Sequence, residues 1–284
     1  MGIGEIGESL RRSTVHIRSA NTRRPTAGSG VIWDSAGTII TNAHVIGRGE
    51  YLVELWDGRS LPAEIQARDD QRDLARLRVG ATELQAATFR KTAMQPGEFV
   101  VAVGSPLGFI GAMTTGVVHA AGPVAGMGRR PWVQAAIRLA PGNSGGPLAD
   151  AAGQVAGINT MIVTGGIALA IPSATVEEFV RQGARPRIGI TIQPVTLNRR
   201  GGLGLLILSV EPGSPAEQAS LMMGDVLLGT PGVRWASAAD LSDVIEDADR
   251  EEGRRLNLRF LRGDRARERE VVLSLAGRPA REAA

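Results

Sequence analysis

The 284-residue sequence contains no cysteine, only 4% aromatic residues and a single lysine, Lys91. Without cysteine, neither a disulfide scaffold nor a thiolate zinc site can form. Lys91 follows Arg90 and lacks the glycines of a phosphate-binding loop, which excludes nucleotide hydrolysis of that type. Because aromatic residues are scarce, the hydrophobic cores must be built from aliphatic side chains.

Sites for metals and cofactors are also missing. His16, His44 and His119 share no spacing typical of zinc ligands. The glycines at positions 2, 4 and 7 match the dinucleotide-binding pattern, but no strand precedes them as that pattern requires. We therefore expect no metal and no cofactor.

The sequence pI of 10.3 does not indicate a nucleic-acid partner. The formal net charge is only +3, since 32 Lys and Arg residues face 29 Asp and Glu residues. Nearly all of the cations are arginine, whose pKa of roughly 12.5 or above moves the pI upward without adding net charge at neutrality. We expect no nucleic-acid binding.

Long apolar runs are absent as well. The longest, Leu203 to Val210, is interrupted by Gly204 and falls far short of the ~20 residues of a membrane span. The segment from Met1 to Arg24 is charged and has no apolar centre, so no secretory signal is visible. We expect either a protein that stays inside the cell or a chain that has been trimmed.

Glycine is abundant: there are 37 glycines, about twice the usual share of ~7%. Up to Ile171 they separate short apolar runs, which predicts a mainly β unit built as a sandwich or barrel. Asp57-Gly58 predicts a hairpin between two such strands. The first clear helix follows, with Ser173 as its expected N-cap and Gly183 as its stop.

A second unit begins after this helix. Gly183 to Arg187 combines glycine, proline and charge, as exposed linkers do. We therefore predict two domains, residues 1–183 and 184–284. The second contains five apolar runs and two helical segments, which predicts a small α+β domain.

The string Gly142-Asn143-Ser144-Gly145-Gly146 exposes a serine between glycines, as a nucleophile requires. It also satisfies the Gly-x-Ser-x-Gly pattern of α/β-hydrolases. Those enzymes place their histidine after the serine, whereas all three histidines here precede Ser144. The order His, Asp, Ser is that of chymotrypsin-type enzymes.

A serine hydroxyl needs a base, and the base needs an orienting carboxylate. His44 is the best candidate base, because it directly follows the apolar run Thr38 to Ile40. Asp73 is the best candidate carboxylate, because a strand is expected to resume immediately after it. His16 and His119 are weaker candidates for the base, and Asp69 and Asp70 are weaker candidates for the carboxylate.

Taken together, these strings resemble the bacterial HtrA-type trypsin-like serine proteases. The resemblance covers nearly the whole first unit. The second unit is similar to the circularly permuted PDZ domain that follows the protease in that family. The matching motifs are Thr41 to Val45, Asp73 to Leu77, Gly104 to Gly108, Thr115 to Val118, Pro141 to Leu148 and Ala168 to Ser173 in the first unit, with Arg187 to Ile190, Val210 to Ala216 and Gly224 to Leu227 in the second.

The resemblance implies a chymotrypsin-like double β-barrel and hydrolysis of peptide bonds by His44, Asp73 and Ser144. It implies an oxyanion hole formed by the backbone N–H groups of Gly142 and Ser144. Leu139 would line the specificity pocket and favour a small aliphatic residue before the cut, although the neighbouring Arg138 leaves a preference involving acidic groups open. Substrate backbone would pair near Ile167, Ala168 and Leu169.

The resemblance further implies that the PDZ domain binds peptide C-termini, with loop N–H groups of Ile188, Gly189 and Ile190 holding the carboxylate. Ile188 and Ile190 also fit as ordinary core residues of a strand. The expected partners are therefore unfolded or exposed polypeptide segments and peptide C-termini.

Two departures from the family pattern bear on assembly. Ala136 stands where many relatives have aspartate, and the segment before Val31 lacks the aromatic residues that usually hold family trimers together. The oligomeric state therefore stays open. The loop from Arg18 to Gly28 is too short for the hexamer-type regulation known in the family, whose members usually act in the cell envelope or periplasm.

A rival interpretation is a catalytically silent protease fold that binds peptides or holds unfolded chains. It would apply if the Gly142-Asn143 peptide were turned away from the oxyanion position.

Overall fold

The computed structural model describes residues 2–20, 27–47, 49–163, 166–183, 187–197, 201–251, 253–263 and 267–275. The chain forms two compact units, one of Met1–Gly122 with Pro131–Ala184 and one of Pro123–Arg130 with Arg185–Ala284. The predicted boundary after Gly183 stays a prediction, since residues 184–186 of the expected linker lie outside the described residues. Most of the loop from Arg18 to Gly28 lies outside them too.

The first unit begins with a helix and a closed six-stranded barrel in the order β1-β2-β3-β6-β5-β4. Aliphatic side chains such as Ile17, Ile39 and Leu77 fill it and are fully buried, as the low aromatic content predicts. The elements are α1 (Ile3–Ser13), β1 (Thr14–Ser19), β2 (Ala27–Ile32), β3 (Thr38–Thr41), β4 (Tyr51–Glu54), β5 (Ser60–Asp69) and β6 (Leu74–Val79).

A second closed barrel follows in the order β10-β11-β12-β9-β8-β7. Its core contains Val100, Leu148 and Ala170, all nearly fully buried. The predicted mainly β architecture of two barrels is thereby confirmed. The elements are β7 (Phe99–Gly104), β8 (Ala112–Pro123), β9 (Pro131–Ile137), β10 (Pro147–Asp150), β11 (Val155–Val163), β12 (Ile167–Pro172) and the helix α2 (Ser173–Gln182).

The helices of this unit differ from the sequence-based expectations in two respects. Helix α1 was not predicted, although Ile3, Ile6 and Leu10 have helical spacing and the last two are buried. The expectation that Ser173 caps α2 is wrong, because Pro172 is the N-cap. The Ser173 hydroxyl instead donates to the carbonyl of Arg90 at 2.6 Å.

The second unit contains a six-stranded antiparallel sheet with helices. Its strands follow the order β13-β14-β15-β17-β18, and β16 pairs with β15. Strand β13 pairs only with β14 among the described residues, so its other edge is open. The elements are β13 (Ile190–Thr196), β14 (Leu203–Val210), α3 (Pro215–Gln218), β15 (Val226–Thr230), β16 (Val233–Arg234), α4 (Ala239–Arg250), β17 (Arg255–Leu261) and β18 (Glu268–Ser274).

A buried carboxylate holds part of this sheet together. Asp225, 1% exposed, accepts hydrogen bonds from Arg262 Nε at 2.7 Å and Nη2 at 2.6 Å. It also accepts from the Met222 N–H at 2.9 Å. The two hydrogen bonds from Arg262 are bidentate and the carboxylate is shielded from water. We therefore expect this pair to contribute more to stability than the exposed ion pairs of the same unit.

We expect Asp225→Ala to lower the free energy of unfolding of the second unit by about 3 kcal/mol, because it removes the carboxylate that pairs with Arg262 and the acceptor of the Met222 N–H. Chemical denaturation of the full chain measures this loss. The control is Arg250→Ala, which breaks an exposed pair with Glu246 and should cost less than about 1 kcal/mol. Equal losses in the two variants would contradict the prediction.

No helix in the part of the chain that the structure describes is both long enough and apolar enough to cross a membrane.

Candidate active site

His44 lies directly after β3, in a short 3₁₀ turn from Ala43 to Val45. Its imidazole is half exposed and faces the loop that precedes β6. The buried Asn42 donates through Nδ2 to the carbonyl of Asp73 at 2.9 Å and so joins the two segments. The strand end thus brings the predicted base to the predicted carboxylate.

Asp73 accepts several hydrogen bonds at once. His44 Nδ1 lies 2.8 Å from Oδ2 and 3.0 Å from Oδ1, and the backbone N–H of His44 donates to Oδ1 at 3.0 Å. The hydroxyl of Thr160 donates to Oδ2. Asp73 has φ of +54°, a left-handed backbone that costs a non-glycine residue free energy and is kept where surroundings enforce it.

These contacts decide the charge of Asp73. Burial raises the pKa of the carboxyl, but hydrogen bonds from His44 and Thr160 outweigh burial, and the pKa lies below its usual value. Asp73 is therefore ionised at neutral pH. An ionised acceptor at Nδ1 favours the tautomer in which Nε2 is free to take a proton.

Thr160 was missed by the sequence analysis. It lies in β11, and its carbonyl accepts the hydroxyl of Ser144 at 3.0 Å while its own hydroxyl binds Asp73. Ser144 thus reaches the other two predicted residues through Thr160. Its hydroxyl donates to this carbonyl in the structure and not to His44.

The chain before Ser144 forms a tight turn. The N–H of Asn143 donates to the carbonyl of Ala140 at 3.0 Å, with Pro141 and Gly142 between them. Gly142 has φ of +103°, so this Pro-Gly pair has the signature of a type II turn. A Cβ at Gly142 would also lie 2.5 Å from the carbonyl oxygen of Ser105. Only glycine satisfies both conditions.

This turn leaves the predicted oxyanion donors available. The N–H groups of Gly142 and Ser144 donate to no backbone acceptor within the described residues. The N–H of Gly142 belongs to the Pro141–Gly142 peptide, so that peptide determines the direction of the donor. Two unpaired N–H groups beside a serine hydroxyl can stabilise a negatively charged oxygen.

The loop that carries Asp73 is tied to the end of α2. Arg72, 2% exposed, lies 3.4 Å from Glu178 and donates to the carbonyl of Gly183 at 3.3 Å. Arg76 donates to the carbonyl of Val180 at 3.1 Å. Because cations are favourable at a helix C-terminus, both contacts hold the last turn of α2 against the first barrel.

A pocket opens beside Ser144. Leu139 is part of its lining, whereas Arg138 is exposed and does not line it. The lining contains no charged side chain among the described residues. Its members are Leu139, Ala140, Pro141, Asn143, Ser144, Asn159, Thr160, Met161 and Ile162.

The expectation that substrate pairs with Ile167, Ala168 and Leu169 is wrong. Strand β12 lies between β11 and β9, and these residues pair with both neighbours. Closure of the barrel therefore occupies both of their edges. In β11, pairing with β10 ends at Ile158. Among the described residues, the stretch Met161–Val163 therefore pairs with β12 on one side only.

The weaker candidates lie apart from this cluster. His16 is buried in β1, and burial lowers its pKa. His119 is exposed in β8. Asp69 accepts from the N–H of Arg72 at 2.9 Å, and Asp70 lies 2.7 Å from Arg68.

The predicted peptide loop of the second unit precedes β13. Ile188 is 3% exposed and belongs to the core, while Ile190 is half-buried and packs against that core. Gly189 has φ of +77°, and a Cβ there would lie 2.2 Å from the Cβ of Ser214. The N–H groups of Ile188 and Gly189 donate to no described backbone acceptor, so a carboxylate can bind them.

Two protein families match the sequence: the trypsin-like peptidase domain over residues 28–158 and the PDZ domain over residues 186–273. "Putative serine protease HhoA" of Synechocystis is 33% identical over 269 residues, which cover 84% of this chain and 68% of that protein. "Serine protease HTRA1" of Xenopus tropicalis is 32% identical over 300 residues, with 92% and 64% covered.

Among solved structures, the HtrA-type protease AlgW with a decapeptide matches with a TM-score of 0.65 and 23% identity, over 96% of this chain and 98% of that one. This likeness supports the fold of two barrels followed by a PDZ domain. The chain spans 57 to 68% of the length of the relatives that it matches. From the identity, the coverage and the two matched domains, the chain belongs to the HtrA family of trypsin-like serine proteases with a PDZ domain.

Proposed function

We propose that the protein is a serine endopeptidase that cleaves unfolded or exposed polypeptide and binds peptide C-termini through its PDZ domain. The observation that carries the proposal is the convergence on Asp73, whose carboxylate accepts His44 Nδ1 at 2.8 Å and the hydroxyl of Thr160. The carbonyl of Thr160 in turn holds Ser144 at 3.0 Å. Apart from the substrate and water, the mechanism uses only groups of this chain.

In the first half of the reaction, the Ser144 hydroxyl rotates from the Thr160 carbonyl toward His44. Oγ forms a bond with the substrate carbonyl carbon while its proton passes to Nε2 of His44. Asp73 stabilises the imidazolium without taking the proton. The N–H groups of Gly142 and Ser144 bind the oxyanion, an interaction worth about 3 kcal/mol per donor in other enzymes of this mechanism.

The intermediate then collapses and the carbon–nitrogen bond breaks. The leaving amine takes the proton from His44, and an acyl group remains on Ser144. Water attacks this ester while His44 accepts the proton of the water. The ester carbon–oxygen bond then breaks, His44 gives that proton to Oγ of Ser144, and the carboxylic acid product is released. Proton and leaving group therefore balance over the two halves.

Substrate binding is assigned to two features beside Ser144. The one-sided stretch Met161–Val163 of β11 offers an edge to which an extended peptide adds as a strand. The uncharged pocket that includes Leu139 and Met161 suits a small aliphatic side chain before the cut. Because Arg138 is not in the lining, it supports no acidic preference in this pocket.

In the PDZ domain, the open edge of β13 offers backbone groups to a peptide, and the N–H groups of Ile188 and Gly189 suit its terminal carboxylate. The decapeptide in the AlgW structure supports a peptide ligand for this kind of protein. Buried Ile188 would act through its backbone and not through its side chain.

One observation favours the rival, a silent peptide-binding fold: the Ser144 hydroxyl donates to Thr160 and not to His44. Apo enzymes often hold catalytic hydrogen bonds loosely and tighten them when substrate binds. The proposed reaction requires the serine side chain to rotate from Thr160 toward His44, so the two interpretations are distinguished by reactivity.

We expect a fluorophosphonate probe to label the folded chain at Ser144, because only a serine deprotonated by a neighbouring base attacks phosphorus at a useful rate. Peptide mapping by mass spectrometry locates the adduct. Urea-unfolded protein is the control and should remain unlabelled. Absence of labelling of the folded chain, with and without added C-terminal peptides, would favour the silent fold.

A further inference from the structure

Ser29 makes four contacts around the candidate site, although neither motif nor resemblance singled it out. It lies in β2 and is fully buried. Its hydroxyl donates to the carbonyl of Gly142 at 2.7 Å and accepts from the N–H of Ser105 at 2.9 Å. Its N–H donates to the carbonyl of Ser144 at 2.8 Å, and its carbonyl accepts the Thr41 hydroxyl at 2.7 Å.

We propose that Ser29 is a positioning residue that holds the two oxyanion donors in place. The inference rests on the proposed function, in which the N–H groups of Gly142 and Ser144 bind the oxyanion. Ser29 bonds to the carbonyl of each of these residues, through Oγ for Gly142 and through the backbone N–H for Ser144. These carbonyls belong to the peptides that follow the two donors, so Ser29 restrains each donor residue from its carboxyl side.

The Ser29 hydroxyl binds the backbone at a glycine, where the backbone dihedral angles are least restricted. Gly142 has φ of +103°, and glycine lacks the Cβ that would restrict rotation of the following peptide. The carbonyl of Gly142 belongs to the Gly142–Asn143 peptide, so the bond from Ser29 fixes that plane. The turn bond from Asn143 to Ala140 fixes the same segment from its other side.

The hydrogen bonds of the Ser29 hydroxyl link the two barrels of the first unit. Strand β2 belongs to the first barrel, whereas Ser105 follows β7 and Gly142 precedes β10 of the second. The hydroxyl therefore crosses between the barrels, and it is used both as a donor and as an acceptor. Alanine at position 29 would remove the partner of the Gly142 carbonyl and of the buried N–H of Ser105. The Gly142–Asn143 peptide could then rotate to pair its carbonyl elsewhere.

This role differs from that of Thr160. Thr160 contacts Asp73 and Ser144, so its loss would disturb the groups that move the proton. Ser29 contacts neither His44 nor Asp73 among the described hydrogen bonds. Its loss should weaken only the stabilisation of the charged oxygen, which develops in the transition state and not in the bound substrate.

The test compares Ser29→Ala with the wild type on a peptide amide substrate. Deleting an oxyanion donor outright costs about a hundredfold or more in kcat, so loosening one should cost about tenfold. KM should stay within about twofold, since bound substrate gains little from the oxyanion hole. Affinity for a peptidyl trifluoromethyl ketone, whose adduct places an oxyanion in the hole, should fall by the same factor as kcat/KM.

Ser173→Ala is the matched control, because it also removes a buried serine hydroxyl that donates to a carbonyl, but at the start of α2. It should change neither kcat nor ketone affinity beyond about twofold. Thermal unfolding measures the loss of stability in both variants, so that the two losses can be compared. If Ser29→Ala does not fold, Ser29→Cys is measured instead. Its weaker donor should still lower kcat and ketone affinity together.

The inference is overturned if Ser29→Ala keeps the wild-type kcat, if its loss lies in KM alone, or if ketone affinity is unchanged. It is also overturned if Ser173→Ala loses kcat to the same extent. A wild-type chain that neither cleaves the amide nor binds the ketone would instead refute the proposed endopeptidase, which makes the two failures distinguishable.

Discussion

Replacing Ser144 with alanine should lower kcat by about a millionfold, the scale seen when the nucleophile of a serine protease is removed. The substitution deletes the oxygen that forms the acyl bond, and no other hydroxyl replaces it at that position. Thr160 lies next to it, but its hydroxyl is committed to Asp73. Cleavage of an unfolded casein-like substrate measures the loss.

The same variant should still fold and bind peptides. Within the described part of the chain, the hydroxyl makes one hydrogen bond, to the carbonyl of Thr160, so its removal should cost about 1 kcal/mol of stability. Affinity of the full chain for a C-terminal peptide should be unchanged, which serves as the control. Turnover above the level of a contaminating protease would contradict the assignment of Ser144.

Replacing Asp73 with asparagine should lower kcat by about ten thousandfold with little change in shape. The backbone N–H of His44 donates to Oδ1, so the amide oxygen is expected to take that position. The amide NH₂ then faces Nδ1 of His44 and donates to it. Nδ1 becomes an acceptor and the proton moves to Nε2, where it blocks acceptance of the serine proton.

The matched control is Asp70→Asn, which neutralises a carboxylate three residues earlier in the same loop. Asp70 contacts Arg68 and not His44 among the described contacts, so kcat should stay within about twofold. Steady-state kinetics of both variants at neutral pH make the comparison. Similar losses of kcat in the two variants would mean that the negative charge of the loop, and not the tautomer of His44, determines the rate.

The three chief site residues could be predicted because each has a local signal. His44 follows an apolar run, Asp73 precedes one, and Ser144 lies between glycines. Local strings report strand ends and exposed turns, and the barrels bring those ends together. The fold was accessible for the same reason, since glycine-punctuated apolar runs predict strands.

The rest of the site depends on which atoms face each other across long stretches of chain. Thr160 lies 87 residues from Asp73, and Ser29 lies 113 residues from Gly142. Neither pairing leaves a trace in neighbouring residues. The order of strands in a barrel also depends on contacts between distant residues. Ile167 to Leu169 could therefore be predicted as a strand, but its pairing on both edges could not.

The anchoring of α2 limits how far the chain can be shortened. Arg72 and Arg76 find their acceptors at Gly183 and Val180, on the last residues of the barrel unit. A protease fragment ending before Val180 would remove the carbonyl acceptors of both arginines, which flank Asp73 in the sequence, and Arg76 would lose its contact with α2. We therefore expect the smallest fragment that keeps Asp73 in place to extend through Gly183, even though α2 supplies none of the proposed catalytic groups.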